Sequence, residues 1–190
     1  MEIMMTLLIL ECLPKYEKVR EGRILADILT LPSDGDDICV SFKEVTFKRD
    51  LLNYVKRRSN LKGYEFIHIS GHGMIEDQET AFFELAQGKI QPDEFPADCF
   101  SDMHMALSAC DLGKVAFVDP FIGQTSPLSV LGPQRAIPFR DACLFWVHYY
   151  SLVLGHGVSP RTAYHKTSEC MRGKITGALK FWETEPAITG

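Results

Sequence analysis

A histidine and a cysteine each follow an apolar run that predicts a buried strand. Gly71-His72-Gly73 comes after residues 64–69, and Ser108-Ala109-Cys110 comes after residues 103–107. Open α/β sheets bind ligands in the crevice at the carboxyl ends of their strands. If the two strands are neighbours, we expect the imidazole and the thiol to lie within reach of each other there.

This pair of side chains is the minimum that a cysteine-nucleophile hydrolase requires. A free thiol is mostly protonated at neutral pH, so Cys110 needs a nearby base, which His72 can supply. The glycines beside His72 leave room for a substrate chain to approach. The backbone amides of Gly73 and Cys110 are candidates for an oxyanion hole, in which one donor contributes about 3 kcal/mol of transition-state stabilisation.

The remaining histidines and cysteines are weaker candidates. Gly155-His156-Gly157 repeats the tripeptide but follows a predicted helix, so His156 is predicted to be a loop residue. The six cysteines form no Cys-x-x-Cys pair, which disfavours a zinc site, and a disulfide framework is not expected in an α/β chain of this length. We therefore predict neither a metal nor a cofactor.

The composition is that of an ordinary globular protein. The chain has 190 residues, 46% hydrophobic and 24% charged, which fits a single domain over residues 1–190. A net charge of −5 disfavours direct nucleic-acid binding. The N-terminal run lacks the features of a signal peptide, and no apolar stretch reaches the roughly 18 residues of a membrane helix. We expect a cytoplasmic protein with no membrane partner.

The apolar periodicity predicts alternating strands and helices. Strands are predicted at residues 5–10, 37–45, 64–69, 103–107 and 177–182, and helices at 21–29, 48–59, 139–154 and from Ser159-Pro160 onward. Residues 81–86 suggest a hairpin or excursion, and residues 119–135 are predicted to form loops around a short strand at 128–131. The resulting fold class is an α/β sandwich with a mostly parallel central sheet and helices on both faces.

Three blocks of sequence resemble the caspase-like (clan CD) cysteine peptidases, and most closely the CHAT family of bacterial caspase-like proteases. They are the strand and His-Gly motif at residues 67–73, the Leu-Ser-Ala-Cys nucleophile block at residues 106–113, and the helix pair with Phe145, Gly155, Ser159 and Ala163. The chain lacks the Gln-Ala-Cys pattern of caspases. Cys110 follows His72 by 38 positions rather than the roughly 50 of caspases, and both departures favour CHAT.

The resemblance implies a three-layer caspase-like sandwich and a cysteine endopeptidase. By this analogy Cys110 is the nucleophile and His72 the general base and acid. It further implies a protein substrate and a regulatory or sensor partner in bacterial antiphage defence or programmed cell death, for example through activation of a gasdermin-like pore former.

The residue preference of the pocket is left open by the sequence. In the resembled family this pocket lies at the ends of the first strand and of the strand after the nucleophile, which makes Glu11, Arg135 and Asp141 the candidates. The two carboxylates would suit a basic substrate residue and Arg135 an acidic one. Surface ion pairs or helix caps explain these residues equally well.

Two other functions remain as alternatives. One is a catalytically inactive caspase-like binding or scaffold module, which would have no need of both His72 and Cys110. The other is a flavodoxin-like nucleotide or flavin binder, which shares the α/β pattern, although the chain has neither a G-x-G-x-x-G motif nor a P-loop.

Overall fold

A six-stranded sheet forms the centre of the computed structural model, which describes residues 5–32, 38–76, 80–173, 175 and 177–184. The strands are β1 (Thr6–Glu11), β2 (Cys39–Glu44), β3 (Phe66–Ser70), β4 (His72–Glu76), β5 (Thr80–Leu85), β6 (Gly88–Ile90), β7 (His104–Ser108), β8 (Ser129–Pro133) and β9 (Leu179–Glu183). The helices are α1 (Glu21–Leu29), α2 (Lys48–Lys56), α3 (Arg58–Leu61), α4 (Val115–Thr125), α5 (Phe139–Tyr150) and α6 (Pro160–Cys170).

The strand order of the central sheet is β2-β1-β3-β7-β8-β9. All its pairs are parallel except β8 with β9, so β9 closes one edge in the opposite direction. The predicted mostly parallel sheet is confirmed, and β3 and β7 are neighbours as the site requires. Asp37, at the start of the predicted second strand, lies outside the described residues.

Helices cover both faces of this sheet, which gives three layers. Alternate residues of a strand point to opposite faces, and the apolar core accordingly divides into two clusters. One cluster joins Ile67 and Leu107 to α2 and α4, and the other joins Phe66 and Ala106 to α1 and α5. The predicted α/β sandwich with helices on both faces is therefore confirmed.

The predicted loops at residues 119–135 are wrong in their first part, because α4 occupies residues 115–125. Pro120 lies inside this helix, where a proline costs about 3 kcal/mol. Phe117 and Phe121, one helical turn apart, are fully buried, and Phe121 also packs edge-on against Phe95. Burial of this aromatic face outweighs the proline, and the short strand predicted next is present as β8.

Other helix predictions hold with adjusted boundaries. The helix predicted over residues 48–59 breaks at Arg57 into α2 and α3. The helix predicted over residues 139–154 is α5 followed by a wider π-helical turn at Ser151–Gly155. Ser159 caps α6 as predicted, with its side chain accepting from the amide of Thr162.

The excursion predicted near residue 81 is a separate antiparallel sheet of β4, β5 and β6. It begins at His72, with Gly71 between it and the end of the central strand β3 at Ser70. No helix in the described part of the chain is long and apolar enough to cross a membrane.

Candidate active site

The register of the two central strands brings the histidine and the cysteine to one edge of the sheet. Ser70 of β3 pairs with Ser108 of β7, and the amide of Gly71 donates to the carbonyl of Ser108 over 3.1 Å. His72 and Cys110 each follow their serine by two residues. Equal spacing from a paired position brings both residues just beyond the same edge of the sheet.

A tight backbone contact fixes the start of β4 against the turn that carries Cys110. A Cβ added to Gly73 would lie 2.1 Å from the carbonyl oxygen of Cys110, and one added to Gly71 would lie 2.4 Å from the ring of Phe83. Neither position has room for a side chain. The glycines on both sides of His72 are therefore required by the close approach of β4 to the cysteine turn and to β5.

Cys110 lies on a sharp turn directly after β7. The next residue, Asp111, has a φ of +65°, a left-handed conformation that aspartate tolerates better than most residues, and its carboxylate pairs with Lys114 at 2.6 Å. Cys110 is half-buried, and its amide donates no hydrogen bond to another described residue. The turn leaves both the thiol and a backbone donor available to a bound molecule.

His72 is exposed at the start of β4 and faces a carboxylate that sequence reasoning did not identify. Its Nε2 lies 3.2 Å from Oε1 of Glu17, in the segment between β1 and α1. Because a carboxylate only accepts, Nε2 carries the proton in this contact, which leaves Nδ1 with the lone pair in the neutral ring. No spacing in the sequence relates Glu17 to His72, since 55 positions separate them.

His72 and Cys110 line one cleft of about 260 Å³. Its walls are largely apolar, formed by Leu13, Val19, Pro133, Ile137, Phe139 and Ala142. The charged residues that line it, among those described, are Glu17 and Glu21. The volume lies just under the range of about 300–1,000 Å³ that is typical of small-molecule sites, so the cleft accommodates a group about as large as one side chain.

Glu21 is the buried acid of this cleft. The hydroxyl of Ser108 donates to its Oε1 over 2.7 Å, and the hydroxyl of Ser70 donates to its Oε2 over 3.3 Å. Burial raises the pKa of Glu21 to about 7, against the opposing effect of these two hydrogen bonds. The sequence contains an indication of the two serine partners of Glu21. In Ser-x-His and Ser-x-Cys a serine stands two residues before each proposed catalytic residue. Ser70 itself is the buried last residue of β3.

Glu11 holds the start of α1 and does not line the cleft. Its carboxylate accepts from the amide of Gly22 at 3.0 Å and from Nε of Arg20 at 3.1 Å, the two residues that flank Glu21. Burial raises the pKa of Glu11, while the positive charge of Arg20 opposes that effect. Glu11, which the sequence suggested for the pocket, thus holds the start of α1, and Glu21 in that first turn lines the cleft.

The other two pocket candidates also lie outside the cleft lining. Arg135 is exposed in the segment that follows β8, and Asp141 is buried in the first turn of α5. Oδ1 of Asp141 has no hydrogen-bond partner among the described residues and lies 3.6 Å from Nε of Arg140. The structure places neither residue beside His72 and Cys110.

Three other cysteines are held in protonated form by burial. Burial raises the pKa of Cys12 far above its usual value, that of Cys99 to about 12, and that of Cys143 by a smaller amount. Cys39 and Cys170, like Cys110, have accessible surface, but neither lines the cleft. Of the six cysteines, Cys110 is therefore the one that has accessible surface and lines the same cleft as His72.

Two further observations narrow the choice of site. A larger, open depression of about 690 Å³ lies at the start of α2, lined by Phe47, Lys48, Arg49, Leu52, Asn53 and Gln87, and holds no thiol or histidine. In the described part of the chain no group of three histidine, cysteine, aspartate or glutamate side chains has the arrangement to hold a metal ion.

Comparison with known proteins gives a structural match but no sequence match. Neither a protein-family model nor a curated protein matches the chain. Among solved structures, a complex of the pro- and mature domains of RgpB from Porphyromonas gingivalis is similar, with a TM-score of 0.53 and 12% sequence identity. The similarity covers 90% of this chain and 43% of that one. The chain has a caspase-like fold.

The likeness concerns the architecture alone. It supports the predicted caspase-like sandwich at an identity too low to carry over residue roles, and the chain spans less than half the length of the matched RgpB chain. The function of the cleft therefore has to be argued from its own residues.

Proposed function

We propose that this chain is a cysteine endopeptidase that uses Cys110 as nucleophile and His72 as general base and acid. The observation that carries the proposal is that both residues, placed by the paired ends of β3 and β7, line one cleft of side-chain size. The caspase-like fold supports it, since the cleft lies at the carboxyl ends of parallel strands.

The reaction proceeds through a thioester. Nδ1 of His72 takes the proton of the Cys110 thiol, and the thiolate attacks the carbonyl carbon of the scissile peptide bond. The negative charge that develops on the carbonyl oxygen is met by the amides of Cys110 and Gly73. His72 then gives its proton to the leaving amine as the C–N bond breaks. Water, deprotonated by His72, hydrolyses the thioester and releases a carboxylate product and the free thiol.

Glu17 orients the imidazole in this scheme. Its carboxylate accepts from Nε2 of His72 and so leaves Nδ1 as the basic nitrogen that would take the proton of Cys110. The pair is partly open to solvent, so its contribution is about 1 kcal/mol at most. Glu17 is thus a positioning residue that selects one tautomer of His72.

The biological setting that we propose follows the CHAT resemblance of the nucleophile block and the His-Gly motif. The substrate is a specific protein, for example a gasdermin-like pore former, cleaved in the bacterial cytoplasm during antiphage defence or programmed cell death. A regulatory or sensor protein controls the cleavage. Co-expression with proteins encoded beside this chain, with and without Cys110→Ala, tests this setting by whether a neighbour is cut.

The activity itself is tested with a peptide library prepared from a bacterial proteome. The wild-type protein is incubated with the library, and new N termini are identified by mass spectrometry. We expect cleavage that is lost in both Cys110→Ala and His72→Ala. Cys39→Ala and Cys170→Ala, which remove accessible thiols outside the cleft, are the matched controls and should cleave as the wild type does.

Two results would overturn the proposal. One is cleavage that persists in a folded Cys110→Ala protein. The other is a folded wild-type protein that cuts no peptide and whose Cys110 reacts with a thiol probe no faster than Cys170. The second result would favour the alternative of an inactive caspase-like binding module.

A further inference from the structure

Glu21 contributes a buried carboxylate to the residues of the cleft. The residue is 7% exposed, yet it lines the same cavity as Cys110. A buried carboxylate costs free energy unless it is paired or hydrogen-bonded. Among the described residues Glu21 has two hydroxyl partners and no cation, since its neighbour Arg20 pairs with Glu11 and Glu44 instead. The site is therefore complementary to a positive charge that the described part of the chain does not supply.

The hydrogen bonds around Glu21 hold it ready to accept. Nε1 of Trp146 donates to the hydroxyl oxygen of Ser108 over 2.8 Å. Since a hydroxyl has a single proton, this contact directs the proton of Ser108 toward Glu21. Ser70 donates to the other carboxylate oxygen, and each oxygen keeps a second acceptor position. The carboxylate is thus fixed in orientation and can still accept from an ammonium or guanidinium group.

The rest of the cleft suits the stem of a long basic side chain. Lysine and arginine bury their methylene groups along apolar surface while the charged head finds polar partners. Leu13, Ile137 and Pro133 supply such apolar walls, and Phe139, which is 36% exposed, offers an aromatic ring at the cleft. A cleft with apolar walls and one buried carboxylate suits the stem and the charge of an extended lysine or arginine.

The distance from the nucleophile fixes which substrate residue enters. Ser108, which holds Glu21, lies two residues before Cys110, so their Cα atoms are at most about 7 Å apart. The residue whose carbonyl carbon is attacked has its side chain nearest to Cys110. A lysine or arginine at that position can reach the carboxylate, whereas short side chains cannot.

We propose that the cleft selects lysine or arginine as the residue that contributes the scissile carbonyl, with Glu21 as the specificity-determining residue. This inference rests on the proposed peptidase function, and it assigns to that function a substrate class. Glu21 therefore replaces Glu11, Arg135 and Asp141, the candidates from the sequence, as the residue that determines the preference of the pocket.

A pair of peptides that differ by one charge tests the inference. The peptides carry either arginine or citrulline, its uncharged isostere, before the scissile bond. Because a hydrogen bond to a charged group contributes about 1.5–3 kcal/mol, we expect kcat/KM to be roughly 10- to 100-fold higher for arginine. Glu21→Gln should remove most of this ratio by lowering the rate for arginine alone. Asp141→Asn, which removes a buried carboxylate outside the cleft, should keep it.

A binding measurement separates failure of this inference from failure of the proposed function. Calorimetry with the Cys110→Ala protein measures the Kd of the same two peptides without turnover. We expect arginine to bind at least tenfold more tightly, and the Cys110→Ala, Glu21→Gln double variant to bind both peptides alike. Circular dichroism of each variant confirms that the fold is retained.

The outcomes are distinct. Cys110-dependent cleavage with equal rates for arginine and citrulline would overturn the inference and leave the peptidase function standing. Preference for arginine in binding, without hydrolysis of any peptide by the wild-type protein, would support the basic-side-chain site and overturn the peptidase function. A preference for arginine that persists in the double variant would overturn the assignment to Glu21, because another group would then bind the positive charge.

Discussion

The hydroxyl of Ser108 donates to Glu21 over 2.7 Å, and Ser108 lies two residues before Cys110. Ser70, two residues before His72, donates to the same carboxylate. One buried acid from the start of α1 therefore ties together the ends of both strands that carry the proposed catalytic residues. The proposed pocket and the turn that carries Cys110 are therefore joined by hydrogen bonds to one carboxylate.

Selective alkylation of Cys110 is the first prediction. Iodoacetamide reacts with thiolates, and burial keeps Cys12, Cys99 and Cys143 protonated. We expect Cys110 to be alkylated faster than all the other cysteines, including the more exposed Cys170, because Cys110 is the cysteine that lines the same cleft as His72. Time-resolved peptide mass spectrometry of the native protein measures each rate.

His72→Ala is the matched variant for this measurement. It should slow alkylation of Cys110 by roughly tenfold while leaving the rate at Cys170 unchanged. Equal rates at Cys110 in the two proteins would show that the histidine does not activate the thiol.

Glu17→Gln tests the positioning of His72. The exposed pair contributes about 1 kcal/mol at most, so we expect kcat to fall up to about fivefold with KM little changed. Because salt screens exposed charges, the difference between the two proteins should shrink in 1 M salt, where the Debye length is about 3 Å. Steady-state kinetics at low and high salt measures both effects.

Lys18→Gln is the control, since it changes an exposed charge one residue away. It should leave kcat and its salt dependence as in the wild type. A loss in Glu17→Gln that is the same at every salt concentration would indicate a structural rather than an electrostatic role for Glu17.

The central sheet and its catalytic pair were predictable from the sequence for a clear reason. Apolar runs define the strands β3 and β7, and parallel neighbours bring the residues that follow them to the same edge. Glu21 was harder to identify, because as a sequence position it is the first residue of an ordinary amphipathic helix. Its place in the cleft depends on Glu11, which anchors Arg20 and Gly22 through contacts that no local pattern encodes.

Two other features depend on tertiary packing alone. Glu17 reaches His72 from a segment without regular structure, so neither periodicity nor spacing could connect them. Pro120 argued for a loop, and the burial of Phe117 and Phe121 reversed that argument. In both cases a contact distant in sequence outweighed the local preference.

Gly73→Ala tests the close approach of β4 to the cysteine turn. The added Cβ would meet the carbonyl oxygen of Cys110 at 2.1 Å, so one backbone must move. We expect a loss of at least tenfold in kcat/KM, because displacement of the Cys110 turn by a fraction of an ångström misaligns the thiol and the amide donors. Peptidase assays together with circular dichroism separate lost alignment from lost folding.

Gly123→Ala is the matched control for that substitution. Gly123 lies in α4 with nothing within 4 Å of an added Cβ, and alanine in a helix is more stable than glycine by roughly 0.5–1 kcal/mol. This variant should keep full activity and melt slightly higher. Equal activity of Gly73→Ala and the wild type would show that the turn tolerates displacement.

The pH dependence of stability reports on the charge of Glu21. Burial raises the pKa of Glu21 to about 7 from its ordinary 4.5, so the folded state binds more protons than the unfolded state between these values. The free energy of unfolding therefore falls as the pH rises through this window, by up to about 3 kcal/mol. His68, whose pKa burial lowers to about 3, acts in the opposite direction. The charge of Glu21 also interacts with the titratable groups of Glu11, Cys143 and Tyr150.

Glu21→Gln isolates this contribution, because the effect of His68 is common to both proteins. Urea denaturation at pH 5 and pH 8 should show a stability advantage of the variant that is small at pH 5 and grows at pH 8. The variant would then be the more stable protein at the pH at which it no longer discriminates arginine from citrulline. That combination is expected of a residue retained for binding and not of a structural one, which would lose stability on substitution at both pH values. Parallel stability curves for the two proteins would show that folding does not raise the pKa of Glu21.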